Sequence, residues 1–381
     1  MKDPSFTLGI EEEYLLVDKS TRDLVHEAPN DLMAACEKEL ETQVSPEFLQ
    51  CQIEVATRVC NSMDEARTDL AHLRKTIARL AGDYGLAPIA ASTHPFAKWA
   101  DQHHTDKERY NILAKDLQVV VRRMLICGMH VHVAIEDEAT RIDIFNQVTY
   151  FLPHLLALTT SSPFWQGQDT GLNSYRLIVF DALPRTGLPP EFSSFSEYER
   201  STNMLMQTGV IEDRSKLWWD LRPSTRYPTL EMRICDVCTR MDDAIAVASL
   251  YVCLCRMLYR LRRNNQRWRS YSRFLINENR WRAQRYGIAK GFIDFGQGEI
   301  VDYDTLLEEL LDLVREDAEF FGCESAIQHC RTIVERGTSA DHQRQRYNAA
   351  IDKGATTEEA LKEVVDGLVE ATIAGPNEIS F

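Results

Sequence analysis

The chain has 381 residues, with 58 acidic and 43 basic side chains, a formal charge of −15 and a 44% hydrophobic content. That length leaves room for one large unit or two smaller ones, and the apolar content excludes a disordered chain. The acidic balance excludes a general nucleic-acid binder, which needs excess Lys and Arg to displace counterions, so a polyanionic substrate would require a local basic pocket.

The first residues, Met1-Lys2-Asp3-Pro4-Ser5-Phe6, show no charged start followed by an apolar stretch, and no secretory signal is expected. Phe6–Val17 reads as extended, and the alternation in Gln50–Thr57 predicts a second strand. Ser62-Met63-Asp64-Glu65 is a capping-box start. The helix it opens carries Leu70, Leu73, Ile77 and Leu80 at helical spacing and ends at Gly82 and Gly85. Leu86–Ser92 predicts a short strand, Tyr110–Leu125 a helix, Ile126–Ile135 a strand and Phe145–Thr160 another helix. Past Asp169, Leu177–Phe180 and Leu230–Val237 are both strand-like, separated by a loop rich in Pro, Gly and Ser.

From about Asp242 the pattern is almost wholly helical to Ala374, with no linker before it. Residues 1–381 are therefore expected to form a single domain, α+β or α/β by pattern alone. The longest apolar run, Ala244–Cys255, is interrupted by Ser249 and falls short of the ~20 residues of a spanning helix. The stretch from Arg256 to Lys290 holds ten arginines and one carboxylate, Glu278. A basic helix face paired with acids elsewhere accounts for this better than an RNA-binding face. Ten cysteines spread through so long a chain read as reduced thiols in a cytoplasmic protein, and Cys235-x-x-Cys238 lacks the second pair of a zinc site.

Side chains two apart on a strand share a face. Glu11 and Glu13 therefore share one face, and Ile10, Glu12 and Tyr14 the other. Two carboxylates on one face repel, which a cation between them relieves; solvated charges on an exposed edge are the alternative. In Gly128–Ile135, His130 and His132 point one way, while Met129, Val131, Val133 and Ile135 point the other. That suits metal, phosphate or acid–base work, or one structural and one exposed histidine. Glu231 and Arg233 share a face opposite Leu230, Met232 and Ile234, either as functional groups or as a structural ion pair. Arg222 and Arg226 add guanidinium groups suited to phosphate or carboxylate. Gln52 and Glu54 lie opposite Ile53 and Val55. Glu47 reaches the face of Glu54 only through a turn or bulge, which Pro46 allows. The pattern describes a sheet with one face under helices and the other lining a polar cavity. Carboxylates with an occasional imidazole favour Mg²⁺ or Mn²⁺, and the arginines add a phosphate-binding element. No GxxxxGK(S/T) or GxGxxG accompanies them.

Six segments occur in order across most of the chain: Gly9–Tyr14, Gln52–Thr57, Thr93–Trp99, Gly128–Val133, Arg226–Asp236 and Glu278–Gly287. Together they resemble the carboxylate–amine ligases of the type 2 glutamate–cysteine ligase family. The resemblance implies a glutamine synthetase-like α+β fold, with a curved, mainly antiparallel sheet whose concave polar face holds the active site and whose back is covered by helices. It also implies an ATP-dependent ligase that phosphorylates a carboxylate and lets an amine displace phosphate, with Mg²⁺ or Mn²⁺ bridging the phosphates. By that resemblance Glu11, Glu13, Glu47, Glu54, His130 and Glu231 are expected metal ligands, and Arg233 stabilises the transferring phosphoryl group. Arg109, Tyr110, Arg222 and Arg226 are expected to contact nucleotide or substrate, with His132 supporting the ligands from behind. The expected substrates are amino acids, glutamate with cysteine or another amine, in a cytoplasmic homodimer that binds neither nucleic acid nor membrane. Two other readings use the same residues. One is a metal-dependent hydrolase built on His130, His132, Glu11 and Glu13, in which the arginines have no task; the other is a non-catalytic homologue of the ligases that binds nucleotide or metal.

Overall fold

The computed structural model describes residues 3–374, apart from the side chains of Asn30, Arg109 and Leu113. Strand β1, Leu8–Asp18, is the spine of the main sheet. Its apolar even-numbered positions, Ile10, Tyr14 and Leu16, are fully buried, while Glu11 and Glu13 face the other side and are only partly covered. The other strands of this sheet are β2 (Val44–Pro46), β3 (Gln52–Ala56), β4 (Leu86–Ile89) and β5 (Met129–Ala134). A small hairpin, β6 (Phe164–Trp165) and β7 (Gln168–Asp169), stands apart. The main sheet is completed by β8 (Leu221–Pro223) and β9 (Thr229–Met232), in the order β2-β3-β1-β5-β9-β8, with β4 pairing along the end of β1. All pairings are antiparallel.

Helices Met63–Gly82, Met241–Arg263 and Thr357–Ile373 pack against the sheet, with Glu138–Val148 against β8 and β9. The first begins as its sequence demands, with the Ser62 hydroxyl accepting from Glu65 N at 3.2 Å. The return half of the capping box is shifted, because the Glu65 carboxylate accepts from Asn61 N at 2.7 Å. Leu70, Leu73 and Ile77 are fully buried against the sheet, each contributing roughly 1.5–3 kcal/mol of burial. Met241–Arg263 is long and apolar enough to cross a membrane, yet it is buried inside the protein. Its middle, Ala244–Cys255, is buried throughout, which is why that stretch is apolar nearly all round.

Four local expectations change. Leu177–Phe180 belongs to a helix, Arg176–Phe180, since a short apolar run has no period that separates strand from buried helix. The stretch expected as one helix over 110–125 is two, Glu108–Leu117 and Val119–Arg122, broken at Gln118, whose φ is 50°. The helix expected over 145–160 is likewise two, Glu138–Val148 and Leu152–Thr159, with Pro153 in the first turn of the second. The helical C-terminal part is interrupted by a hairpin, β10 (Phe292–Asp294) and β11 (Glu299–Val301). Much of the arginine-rich stretch is held in ion pairs, among them Arg256 and Arg260 with Asp317, Arg262 with Asp143, and Arg280 with Asp181 and Asp220.

Candidate active site

Antiparallel register lines the polar side chains into a band across five strands. Glu54 on β3 stands opposite Glu13 on β1, and Glu11 stands opposite His130 on β5. His132 in turn faces Glu231 on β9, and Glu231 faces Arg222 on β8. Above this band is a cavity of about 660 Å³, bordered by all these residues and by Glu47, Tyr110, Arg176, Arg226 and Arg233.

The band has two centres. In one, ligand atoms of Glu11, His132 and Glu231 lie within 4.8 Å of one another. His130 Nδ1 is 3.1 Å from Glu11 Oε2, and His132 Nε2 is 3.3 Å from Glu11 Oε1. His132 Nδ1 meets the Thr229 hydroxyl at 3.0 Å, which orients the ring, while its buried Nε2 makes no hydrogen bond. Glu231 is 2% exposed. Arg222 grips both its oxygens, at 2.7 and 3.0 Å, and Arg233 donates to Oε1. Burial works against the charge on Glu231, but Arg233 and Arg222 outweigh it and hold the carboxyl far below its usual range. Burial likewise opposes ionisation of Glu11, and the adjacent imidazoles of His130 and His132 overcome it and hold the carboxyl well below its usual range.

In the second centre the balance reverses. Glu13 is pushed up to about 8, first by burial and then by the charge of Glu47. Glu54 also rises well above the carboxylate range, through burial and then Glu47, Glu11 and Glu13. Glu13 accepts from Gly128 N at 2.8 Å and Glu54 from the Ser45 hydroxyl at 3.3 Å, which leaves clustered negative charge only partly compensated. Divalent cations fit this donor set. An imidazole nitrogen that makes no hydrogen bond stands beside two carboxylates, next to carboxylates that repel one another.

Most residues expected at the site border one cavity. Glu47 enters it because β2 ends at Pro46, and the chain turns there so that Glu47 no longer follows strand parity. Three assignments shift. His132, expected behind the ligands, belongs to the compact Glu11–Glu231 group, while His130 sits between Glu11 and Arg233, 3.5 Å from Arg233 Nη1. Burial and then the Arg233 charge lower His130 to about 4, so its ring is neutral at neutral pH. Arg222, expected to contact nucleotide or substrate, borders the cavity and is bonded there to Glu231 and to the carbonyls of Ser215 and Leu217. Arg233 lies just beyond β9, not within a strand running to Val237. Arg226 is exposed near the tip of the β8–β9 hairpin, and Tyr110 donates to Pro46 O at 3.1 Å. The Arg109 side chain lies outside the described residues.

Sequence reasoning missed Arg176. It is 3% exposed, borders the cavity and donates to the carbonyls of Ile234 and Arg233. Gly128 makes room for it, since a Cβ there would collide with Arg176 Nη2. The available signal was that glycine, two residues before His130. Glu12 has a structural task on the opposite face. Arg74 donates to both its oxygens, at 2.8 and 2.6 Å, and also to the carbonyls of Thr239 and Cys238. His94, in the Thr93–Trp99 segment, accepts at Nδ1 from Ala97 N and meets Arg22 O through Nε2, which makes it a structural histidine.

A one-sided antiparallel sheet carrying acids, imidazoles and arginines, with helices behind, is the architecture of the glutamine synthetase-like, amide-forming ligases. The fold matches a glutamate–cysteine ligase of Francisella tularensis solved with AMP, with a TM-score of 0.69, 12% identity and coverage of 97% of this chain and 89% of that one. It also matches a bifunctional glutathione synthetase of Pasteurella multocida, with a TM-score of 0.68, 13% identity and coverage of 96% of this chain and 52% of the other; the chain spans about half that protein. The chain belongs to glutamate–cysteine ligase family 2 (GCS2), whose family model matches residues 7–367. A Rhodospirillum rubrum protein named "putative glutamate–cysteine ligase 2" is 60% identical over 378 residues, covering 98% of this chain and 97% of that one.

Proposed function

We propose that the protein uses ATP to join a small carboxylate, glutamate by its family, to cysteine or another amine through an acyl phosphate. The observation that carries this reading is the meeting of two acidic centres with Arg176, Arg226 and Arg233 around one cavity. The carboxylate oxygen of the substrate attacks the γ-phosphorus as the bond to ADP breaks. The amine then attacks the acyl carbon, loses a proton, and phosphate leaves with the electron pair of the broken C–O bond. Divalent cations bound by Glu11, His132 and Glu231, and by Glu13, Glu47 and Glu54, would neutralise phosphate charge. Arg233, on the wall beside Glu231, is placed to hold phosphoryl oxygens whose charge is redistributing. A hydrolase using metal-bound water would leave these arginines without a task.

The test is ADP release from Mg-ATP in the presence of paired amino acids and amines. ADP formation that requires both a carboxylate and an amine, with the amide found as product, is the expected result. Absence of ATP turnover with every pair, or amide hydrolysis without nucleotide, refutes the reading.

A further inference from the structure

The segment Glu278–Gly287 places no residue on the wall of the catalytic cavity, although it is one of the six segments that carry the family resemblance. It lies in the helix Arg273–Tyr286, whose Arg280 is 5% exposed. A guanidinium is seldom buried unless paired, and this one grips two carboxylates. Nε and Nη2 donate to Asp220 at 2.7 and 3.1 Å, and Nη1 and Nη2 donate to Asp181 at 2.7 and 2.9 Å.

Each carboxylate is tied to a segment that carries a cavity arginine. Asp220 directly precedes β8, and its carbonyl accepts from Arg233 N at 2.8 Å and from Ile234 N at 3.1 Å. Two successive N–H groups on one carbonyl mark a β-bulge, which interrupts the regular ladder and re-aims a side chain. Arg233 stands at that bulge, just past the end of β9. Asp181 closes the helix Arg176–Phe180, its N–H donating to Leu177 O at 2.8 Å.

Arg176 completes a ring. Its Nη2 donates to Arg233 O at 3.2 Å and its Nη1 to Ile234 O at 3.3 Å. The two residues that Asp220 holds by their N–H groups are therefore held by their carbonyls from Arg176. The polar path runs from Arg280 through Asp220 to Arg233, on to Arg176, and back through Asp181 to Arg280. Beyond β9 this ring takes the place of regular strand pairing in fixing Arg233. A planar fork bonded to both carboxylates also sets the angle between them, which a point charge cannot do.

We propose that Arg280 is a positioning residue for phosphoryl transfer. It locks the bulge of Arg233 and the helix of Arg176 into one frame, so that both guanidinium groups meet the phosphoryl oxygens together. The chemistry rests on the ligase reading, while the clamp rests on these hydrogen bonds. Arg280 does not border the cavity and acts only through the other two arginines.

Arg280→Lys keeps the charge but cannot hold both carboxylates bidentately. With a substrate pair that supports ADP release, it should lower kcat about 100-fold, the scale of a misplaced group, and leave KM for ATP nearly unchanged. In an Arg233→Ala background the same change should cost less than about tenfold, because less is left to position. Arg256→Met, which breaks an ion pair to the buried Asp317 outside the cavity, should lower the melting temperature and keep full kcat. Hydrogen–deuterium exchange reads the clamp without turnover. In Arg280→Lys the peptides holding Arg233–Ile234 and Leu177–Asp181 should exchange about tenfold faster, with Met63–Gly82 unchanged. Asp181→Asn, which loosens one arm at the surface, should show the faster exchange at Leu177–Asp181 with a smaller loss of kcat, and carries the test if Arg280→Lys does not fold. Full kcat in folded Arg280→Lys, losses that multiply in the double variant, or unchanged exchange at both segments overturns the inference. A wild type that turns over no ATP refutes the ligase reading instead, and faster exchange at both segments then still upholds the clamp.

Discussion

Arg233→Ala separates catalysis from support. Arg233 donates to Glu231 Oε1, so its loss removes a hydrogen bond to a buried charge, and by itself that bond is worth about 1.5–3 kcal/mol. Glu231 is not left bare, because Arg222 still holds both its oxygens. The stability cost should therefore stay at the lower end of that range. Arg222→Ala is the contrast: it removes both of those bonds and the ties to Ser215 O and Leu217 O, leaving Arg233 as the arginine still bonded to Glu231 among the described residues. Breaking a buried pair this way costs about 3–5 kcal/mol. Turnover should respond differently. Losing one preorganised donor to the transition state lowers kcat by about 100- to 1,000-fold, while ATP affinity changes far less. Urea unfolding followed by circular dichroism gives the first quantity, and ADP release at saturating substrates the second. Full turnover in Arg233→Ala, or an unfolding cost equal to that of Arg222→Ala, would show that Arg233 only supports Glu231.

Arg74→Leu should cost about 3–5 kcal/mol, because Glu12 is left as a buried carboxylate with only the Tyr14 hydroxyl as partner among the described residues. The double variant Arg74→Leu/Glu12→Leu should recover most of that loss in the same urea titration; an unrecovered double variant contradicts the pairing account. His94 and His154 are both lowered to about 4, chiefly by burial, against about 6.5 in the unfolded chain. Between these values the unfolded state binds more protons, so their contribution is intact above about pH 6.5 and is lost as pH falls towards 4, by up to about 3 kcal/mol each. Urea midpoints measured from pH 7.5 to 4.5 should fall, less steeply in His154→Gln; identical slopes in the two proteins would remove His154 from the account.

Much of the site was legible because strand parity is a local property. Glu11 with Glu13, and His130 with His132, share a face whatever the strands beside them are. The buried alternates, Ile10, Tyr14, Val131 and Met232, identify the covered side in the same way. The segment Leu177–Phe180 was not legible, because four apolar residues carry no period, and Arg176 was lost with it. Glu47 was ambiguous for a related reason, since its position depends on how the chain leaves Pro46.

The sequence alone therefore determined which side chains each strand presents together, where the helix capped by Ser62 begins, and that the C-terminal third is mostly helical. Those features depend on neighbours within a few residues, where backbone geometry and side-chain period decide. Only the tertiary structure decided the register that sets His132 against Glu231 and Glu54 against Glu13, and so which histidine joins the Glu11 group. It also decided that Arg222 grips Glu231, that Arg176 joins the cavity wall, and that Arg74 neutralises Glu12 from a helix 62 residues away. Each depends on distances between segments far apart in the chain, set by packing both faces of the sheet at once, and no local pattern encodes them.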